Sequence, residues 1–241
     1  MVLKTKELSS RLSLRHRMQI VRVKLAFLVD CTASMGPWIE AVKDRIEEIV
    51  ETTQREHSEA DLQFRVGFVG YRDYGDETPR EIIPFTPVEE FLAKVRRVEA
   101  IGGDDIAEDV AGGLLSTQKA LDWRDADVRT LIHIADAPPH GVKYHAPHIS
   151  DRFPNGDPCG VDVNTLLRYF AETVDMTFIG LNRFTDMYVE HALSAYREIG
   201  KRSFQVADLR PQDTRFLTPL ASRALNDSIQ RYTASQDPAI E

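Results

Sequence analysis

Apolar and polar positions alternate along this chain in two rhythms, one suited to strands and one to helices. Val23–Asp30 (VKLAFLVD) is an almost unbroken apolar run ending in an acid, the pattern of a strand buried on both faces of a parallel sheet. Gly36-Pro37 then marks a turn, with Pro37 suited to the first helical position. Behind it Trp38, Ile39, Val42, Ile46, Ile49, Val50 and Thr53 recur at helical spacing, which predicts an amphipathic helix reaching about His57. Leu62–Val69 predicts a second strand and Arg80–Phe85 a third. The brief, turn-rich link through Gly75, Asp76 and Pro79 makes these two a hairpin, hence antiparallel.

The alternation continues. Pro87–Val98 and Asp105–Leu121 predict helices, and Val128–Ala135 (VRTLIHIA) predicts a fourth strand, again followed by an acid, Asp136. A long irregular stretch, Ala137–Gly160, is rich in Pro, Gly and His, and loops of this length in a compact domain are usually functional or disordered. Leu166–Ala171 lies in a helix, Val174–Leu181 is a fifth strand, and Thr185–Ile199 is a helix stopped by Gly200. Ser203–Val206 reads as a sixth strand and Asp213–Tyr232 contains a closing helix. Strands that alternate with helices imply an α/β, doubly wound, Rossmann-like fold. Its mostly parallel six-stranded sheet has one antiparallel edge strand and helices on both faces. Ligands in such folds sit beyond the carboxyl ends of the strands, which is where Asp30 and Asp136 fall.

Composition narrows the function. Hydrophobic residues make up 42% and charged residues 28% of the 241, enough for one sizeable core. The net charge of −8 argues against general nucleic-acid binding, which needs a concentrated basic surface. Charge is uneven: residues 1–24 hold Lys4, Lys6, Arg11, Arg15, Arg17, Arg22 and Lys24 against the single acid Glu7. The expected organisation is a basic arm over residues 1–20, one domain over 21–232 and a polar tail over 233–241, with no internal repeat or linker. Within the arm, Leu8, Leu12 and Met18 form a sparse apolar stripe. Two cysteines, Cys31 and Cys159, imply no disulfide framework. No apolar run approaches the ~20 residues of a membrane span, and no signal peptide is legible, so a cytoplasmic protein is expected.

The candidate chemistry begins at Asp30-Cys31-Thr32-Ala33-Ser34-Met35-Gly36. In an extended turn alternate residues point the same way, so Asp30, Thr32 and Ser34 can converge as one carboxylate and two hydroxyls. Such hard oxygen donors suit Mg²⁺, Mn²⁺ or Ca²⁺. Read alone, the same residues are also an ordinary helix cap. A second segment, Gly102-Gly103-Asp104-Asp105-Ile106-Ala107-Glu108-Asp109, places four acids at a helix start. The helix dipole favours acids there, yet two carboxylates about 4 Å apart repel by about 4 kcal/mol at an effective dielectric of about 20. If these acids, Asp30 and Asp136 face one pocket, a cation relieves the repulsion.

These motifs carry a resemblance. D-C-T-A-S-M-G resembles the D-x-S/T-x-S-M-G signature of von Willebrand factor A domains, whose metal-ion-dependent adhesion site it forms. G-G-D-D-I-A-E-D is similar to the G-G-G-D-x-P-E-D variant of integrin β subunits and of the A domains associated with atypical α-kinases. H-I-A-D-A-P-P-H-G, with the following Y-H, D-R-F-P-N-G-D-P and C-G, resembles the α-kinase-associated branch. The likeness runs over residues 23–210 and implies a strand order of 3-2-1-4-5-6. It implies that Asp30, Thr32 and Ser34 supply the first ligands, that Glu108 takes the place of the motif's glutamate, and that Asp136 is the acid after the fourth strand, acting through water. Mg²⁺ or Mn²⁺ would sit there with one position open for an Asp or Glu of a partner protein. Ala107 in place of the usual proline and Asp104 in place of a glycine depart from the pattern. The integrin β likeness extends to G-Y-R-D-Y-G-D and implies a second cation, Ca²⁺, at Asp73, Asp105 and Glu108; the plain alternative is that Asp73 pairs with Arg72 or Arg80 or caps its turn.

Two further readings compete with a binding domain. His140, His145, His148 and Cys159 in the loop 137–160 would suit a zinc-dependent hydrolase, although their spacing matches no standard zinc pattern; loop histidines held by hydrogen bonds are the alternative. A stable subunit of a cytoplasmic assembly with a kinase or ATPase is the other. No phosphate-binding loop and no G-x-S-x-G elbow occurs. Gly112-Gly113 suits close packing within a helix, and Cys31, between two ligand positions, is expected to point into the core. The sequence therefore predicts a protein that is not an enzyme.

Overall fold

A computed structural model describes residues 19–209 and 213–236. The apolar stripe Leu8, Leu12 and Met18, the rest of the arm to residue 18, and residues 237–241 of the expected tail lie outside the described residues.

Six strands form one sheet: β1 (Gln19–Asp30), β2 (Ala60–Tyr71), β3 (Arg80–Thr86), β4 (Val128–Ala135), β5 (Asp175–Gly180) and β6 (Phe204–Asp208). Their order is β3-β2-β1-β4-β5-β6, every pairing parallel except β2 with β3, as the sequence predicts. The helices are α1 (Gly36–Glu56), α2 (Val88–Val95), α3 (Val110–Ala120), α4 (Val163–Thr173), α5 (Asp186–Ile199) and α6 (Leu217–Gln236). β1 shows why both faces must be covered. Val21, Val23, Leu25, Phe27 and Val29 point to one side, into a core with α1, α2 and α6; Ala26 and Leu28 point to the other, into a core with α3, α4 and α5.

Close packing on the second side depends on Gly113. A Cβ there would lie 2.6 Å from the Tyr71 ring, so only glycine lets α3 approach β2 this nearly. Several boundaries move. β1 begins at Gln19, inside the stretch read as the arm, and α6 continues to Gln236, into the stretch read as the tail. The helix expected from Asp105 starts only at Val110. The amides of Ile106 and Ala107 bond the Ser150 carbonyl at 3.3 and 3.2 Å, and that of Glu108 bonds the Pro138 carbonyl at 3.0 Å. With its amides engaged by the long loop, segment 104–109 bends at 104–106 and packs along it, and the acids there decorate a loop rather than a helix.

Candidate metal centre

The first strand delivers its acid to the sheet edge. Asp30 lies opposite Tyr71 of β2, and the Cys31 amide still bonds the Tyr71 carbonyl at 2.8 Å before the chain leaves the sheet. Asp30 Oδ1 then accepts two hydrogen bonds from Thr32, from its amide at 2.9 Å and its hydroxyl at 2.7 Å. The Thr32 hydroxyl stands 3.4 Å from that of Ser34. Asp30 and Thr32 are buried and Ser34 is exposed, so the set opens to solvent at the serine. Cys31 faces the other way, wholly buried in the core, and burial pushes its thiol pKa far up.

A second loop closes against the first. The Ile101 amide bonds the Cys31 carbonyl at 3.0 Å and the Ala33 amide bonds the Gly102 carbonyl at 3.2 Å. Gly103, at φ +90°, is pressed between two site residues: a Cβ there would stand 3.1 Å from Thr32 Cβ and 3.2 Å from Glu108 Oε1. Glu108 is set by its amide bond to Pro138 and by a bridge to Pro139, in the loop that leaves β4. Asp136 also follows β4, and its carbonyl accepts a bond from Asn182 Nδ2 at 2.6 Å. The side chains of Thr32, Ser34, Asp105, Glu108 and Asp136 line one cleft of about 270 Å³ above Asp30.

Carboxyls crowd this cleft, and burial and mutual repulsion work against their charge. Burial, then the neighbouring Asp136, pushes the Asp30 pKa up to about 7. Burial, then Asp30, Asp73, Asp76 and Asp105, pushes Glu108 up to about 10. Asp105 is raised as well, by burial and by Asp73, although the Arg152 amide bonds its Oδ2 at 2.7 Å. Asp109, by contrast, leaves the cleft: it caps α3 through the Gly112 amide at 2.7 Å and pairs with Arg80. Asp104 also turns outward, to Arg152 at 3.2 Å.

Asp73 is engaged elsewhere. It pairs with neither Arg72 nor Arg80; its Oδ1 takes a bond from His140 Nε2 at 2.8 Å. His140 Nδ1 bonds Asp151 Oδ1 at 2.8 Å, and His145 Nε2 bonds Asp151 Oδ2 at 3.0 Å. Burial works against the Asp73 charge, but bonds from His140 and the Tyr74 amide outweigh it and hold the carboxyl below its ordinary range. Burial likewise opposes a charged His140, and its two carboxylates prevail and raise its pKa. Of the residues that suggested zinc, His140 and His145 are spent on Asp151, His148 lies edge-on to Phe184 at 6.3 Å, and Cys159 is exposed on the far arm of the loop. Asp151 and Asn182 organise the site and escaped sequence reading. Asp151 stood within the D-R-F-P-N-G-D-P stretch, and Asn182 directly after the fifth strand, with no periodicity to mark either.

Do these residues suit a hard divalent cation? Among the described residues no three His, Cys, Asp or Glu side chains draw together into a metal-ready group. Instead, carboxylates and hydroxyls surround a gap. The buried Asp30 Oδ2, Glu108 Oε2 and Asp105 Oδ1 receive no hydrogen bond, and unpaired buried carboxylate oxygens are costly. Hard oxygen donors without hydrogen-bond partners, on carboxyls that burial and mutual repulsion disfavour in their charged form, fit Mg²⁺, Mn²⁺ or Ca²⁺ and do not suit zinc.

Known proteins are similar to this chain in sequence and fold. The family model described as von Willebrand factor A domain matches residues 24–144, from β1 through the second loop to the start of the long loop. The α-protein kinase vwkA of Dictyostelium discoideum is 41% identical over 147 residues, which are 60% of this chain and 23% of that protein; the chain thus spans about a quarter of its relative. The fold is similar to that of the PilB minor pilin from Streptococcus sanguinis, with a TM-score of 0.54 and 11% identity over 93% of this chain and 64% of that one. It is also similar to the pilus adhesin SpaC from Lactobacillus rhamnosus GG in its open conformation, with a TM-score of 0.57 and 11% identity over 90% of this chain and 31% of that one.

Proposed function

This chain belongs to the von Willebrand factor A domain family, which supports a protein-interaction role in general, and from that premise we propose that it grips a partner protein through a bound divalent cation. Asp30, Thr32 and Ser34 would hold Mg²⁺ or Mn²⁺ from the first loop, with Glu108 and Asp136 completing the set directly or through water. When bound, the cation supplies a Lewis-acidic position that a partner's Asp or Glu can occupy. The protein's own part is to keep the hydroxyls of Thr32 and Ser34 on one side, to exclude competing donors from Asp30 and Glu108, and to leave the cleft open at Ser34. The single observation that carries this reading is the pair of buried, unpartnered oxygens on Asp30 and Glu108 beside those hydroxyls.

The same reading makes the chain a binding module rather than an enzyme, at work in the cytoplasm. Among the described residues no helix is long and apolar enough to cross a membrane. Its likeness to part of an α-protein kinase favours an assembly in which the domain serves a kinase supplied by another segment or subunit. A second cation, Ca²⁺, would lie at Asp73, Asp105 and Glu108, where Asp73 Oδ2, Asp105 Oδ1 and Glu108 Oε2 are buried without a hydrogen bond while Asp73 Oδ1 stays with His140.

The test is calorimetric titration of EDTA-stripped protein with Mg²⁺, Mn²⁺ and Ca²⁺, repeated on Asp30→Ala. Saturable binding that the variant loses supports the site. Equal heats from both proteins, or partner capture that survives EDTA, overturn it.

A further inference from the structure

Arg72 is fully buried, and among the described residues its ion-pair partner is Glu81, 3.4 Å away and partly in solvent. A guanidinium in that position is tolerable only if its donors are otherwise satisfied. They are, by backbone. Nε donates to the Cys31 carbonyl at 3.1 Å, Nη1 to the Thr78 carbonyl at 2.7 Å and Nη2 to the Glu99 carbonyl at 2.6 Å. One side chain thereby joins three segments. Cys31 sits between Asp30 and Thr32, so the direction of its carbonyl fixes how those two side chains face each other. Glu99 lies just ahead of Ile101 and Gly102, whose backbone bonds to Cys31 and Ala33 set the second loop against the first. Thr78 holds the link between β2 and β3.

We propose that Arg72 is a positioning residue of the cation site, locking the loop of Asp30, Thr32 and Ser34 to the loop of Gly103 and Glu108 before any cation arrives. This rests on the cation reading above. Its physical basis is the planar, rigid fork of arginine, which reaches three carbonyls in divergent directions; a lysine ammonium on a flexible stem keeps the charge without that geometry. Because the Arg72 side chain bonds to backbone carbonyls and Glu81 rather than to the proposed ligands, its effect on the ion would be transmitted through loop placement.

Mg²⁺ affinity would be measured calorimetrically on the full chain, stripped of metal, for wild type, Arg72→Lys and Glu81→Gln, alongside thermal melting. Outer partners of metal ligands typically alter affinity by about 10–100-fold, and Arg72→Lys is expected to fall in that range while remaining folded at the temperature of the titration. Glu81→Gln, which spares the three carbonyl bonds, should stay within about twofold of wild type on the same scale. Wild-type affinity in folded Arg72→Lys overturns the proposal, even if its melting temperature drops. A folded wild type that binds no Mg²⁺ overturns the cation reading itself. Hydrogen exchange on metal-free wild type keeps the lock testable should the variant not fold: the amides of Ile101 and Ala33 should open together at similar rates, and independent opening overturns it.

Discussion

His140 reaches Asp73 through Nε2 and Asp151 through Nδ1, each at 2.8 Å, and a ring can donate to two carboxylates at once only as an imidazolium. The histidine-rich loop is therefore latched to the β2–β3 link by a buried ion triad, with His145 and the Gly141 and Phe153 amides completing the shell of Asp151. Removing one member strands the charges of the others.

His140→Gln should accordingly destabilise the fold by about 3–5 kcal/mol, since breaking a buried pair leaves an uncompensated charge. Urea unfolding would measure the loss, and limited proteolysis should show new cleavage within 141–160. An unchanged urea midpoint with no new cleavage would mean that the loop is held by its apolar contacts alone.

Asp30→Asn separates the charge of the first ligand from its shape. Asparagine keeps an oxygen for the Thr32 amide and hydroxyl but cannot ionise. The Asp30 pKa, raised by burial and Asp136 from 3.8 to about 7, makes its contribution to stability fully present below about pH 4 and lost as pH rises through about 7. At pH 8 the metal-free variant should therefore be more stable than wild type, by about 1–3 kcal/mol. Melting with and without Mg²⁺ checks both halves: wild type should gain stability from the ion and Asp30→Asn should not. A variant less stable than wild type at pH 8 without metal would show that the aspartate charge is already compensated.

Gly103→Ala tests the contact between the two loops. At φ +90° an alanine is strained, and its Cβ would press on Thr32 and Glu108 from 3.1 and 3.2 Å. A loss of about 1–3 kcal/mol is expected from the backbone alone. Calorimetry should also show weakened Mg²⁺ binding, because the loops must part to admit the methyl. Unaltered affinity would place the binding position away from the Thr32–Glu108 contact.

Much of this arrangement was legible along the chain because it follows from local pattern. Apolar β1 and β4, each followed by an acid, place Asp30 and Asp136 at one sheet edge, and the alternation of Asp30, Thr32 and Ser34 puts all three on one side. The parts that escaped depend on contacts distant in sequence. Asp105 and Glu108 look like the first turn of a helix until the Ser150 and Pro138 carbonyls take the amides of their segment. Asp73 looks like a partner for its neighbour Arg72, but Arg72 turns inward to backbone and a histidine 67 residues away takes its place. No periodicity records such choices, since they are settled by which donor reaches a buried acceptor first in three dimensions.

His133 offers a pH test independent of the cleft's acids. It lies in the middle of β4, fully buried between the Tyr71 hydroxyl, 3.2 Å from Nε2, and the Tyr188 hydroxyl, 3.4 Å from Nδ1. Neither partner is charged, so nothing offsets burial, which lowers the imidazole pKa from 6.5 to about 3. An unfolded chain would take up the proton near pH 6.5 and the folded one only near 3. The stability due to a neutral His133 is therefore complete above pH 6.5 and lost as pH falls through that window, with a limiting slope of about 1.4 kcal/mol per pH unit. Acidic groups also titrate there, so the informative quantity is a difference between proteins. His133→Gln keeps a donor and an acceptor for the two tyrosines but does not titrate. Urea midpoints at pH 6 and 4.5 should show wild type losing about 2 kcal/mol more than the variant over that interval. Equal losses would mean that His133 gains its proton in the folded state, which requires water or a carboxylate to reach the centre of the sheet.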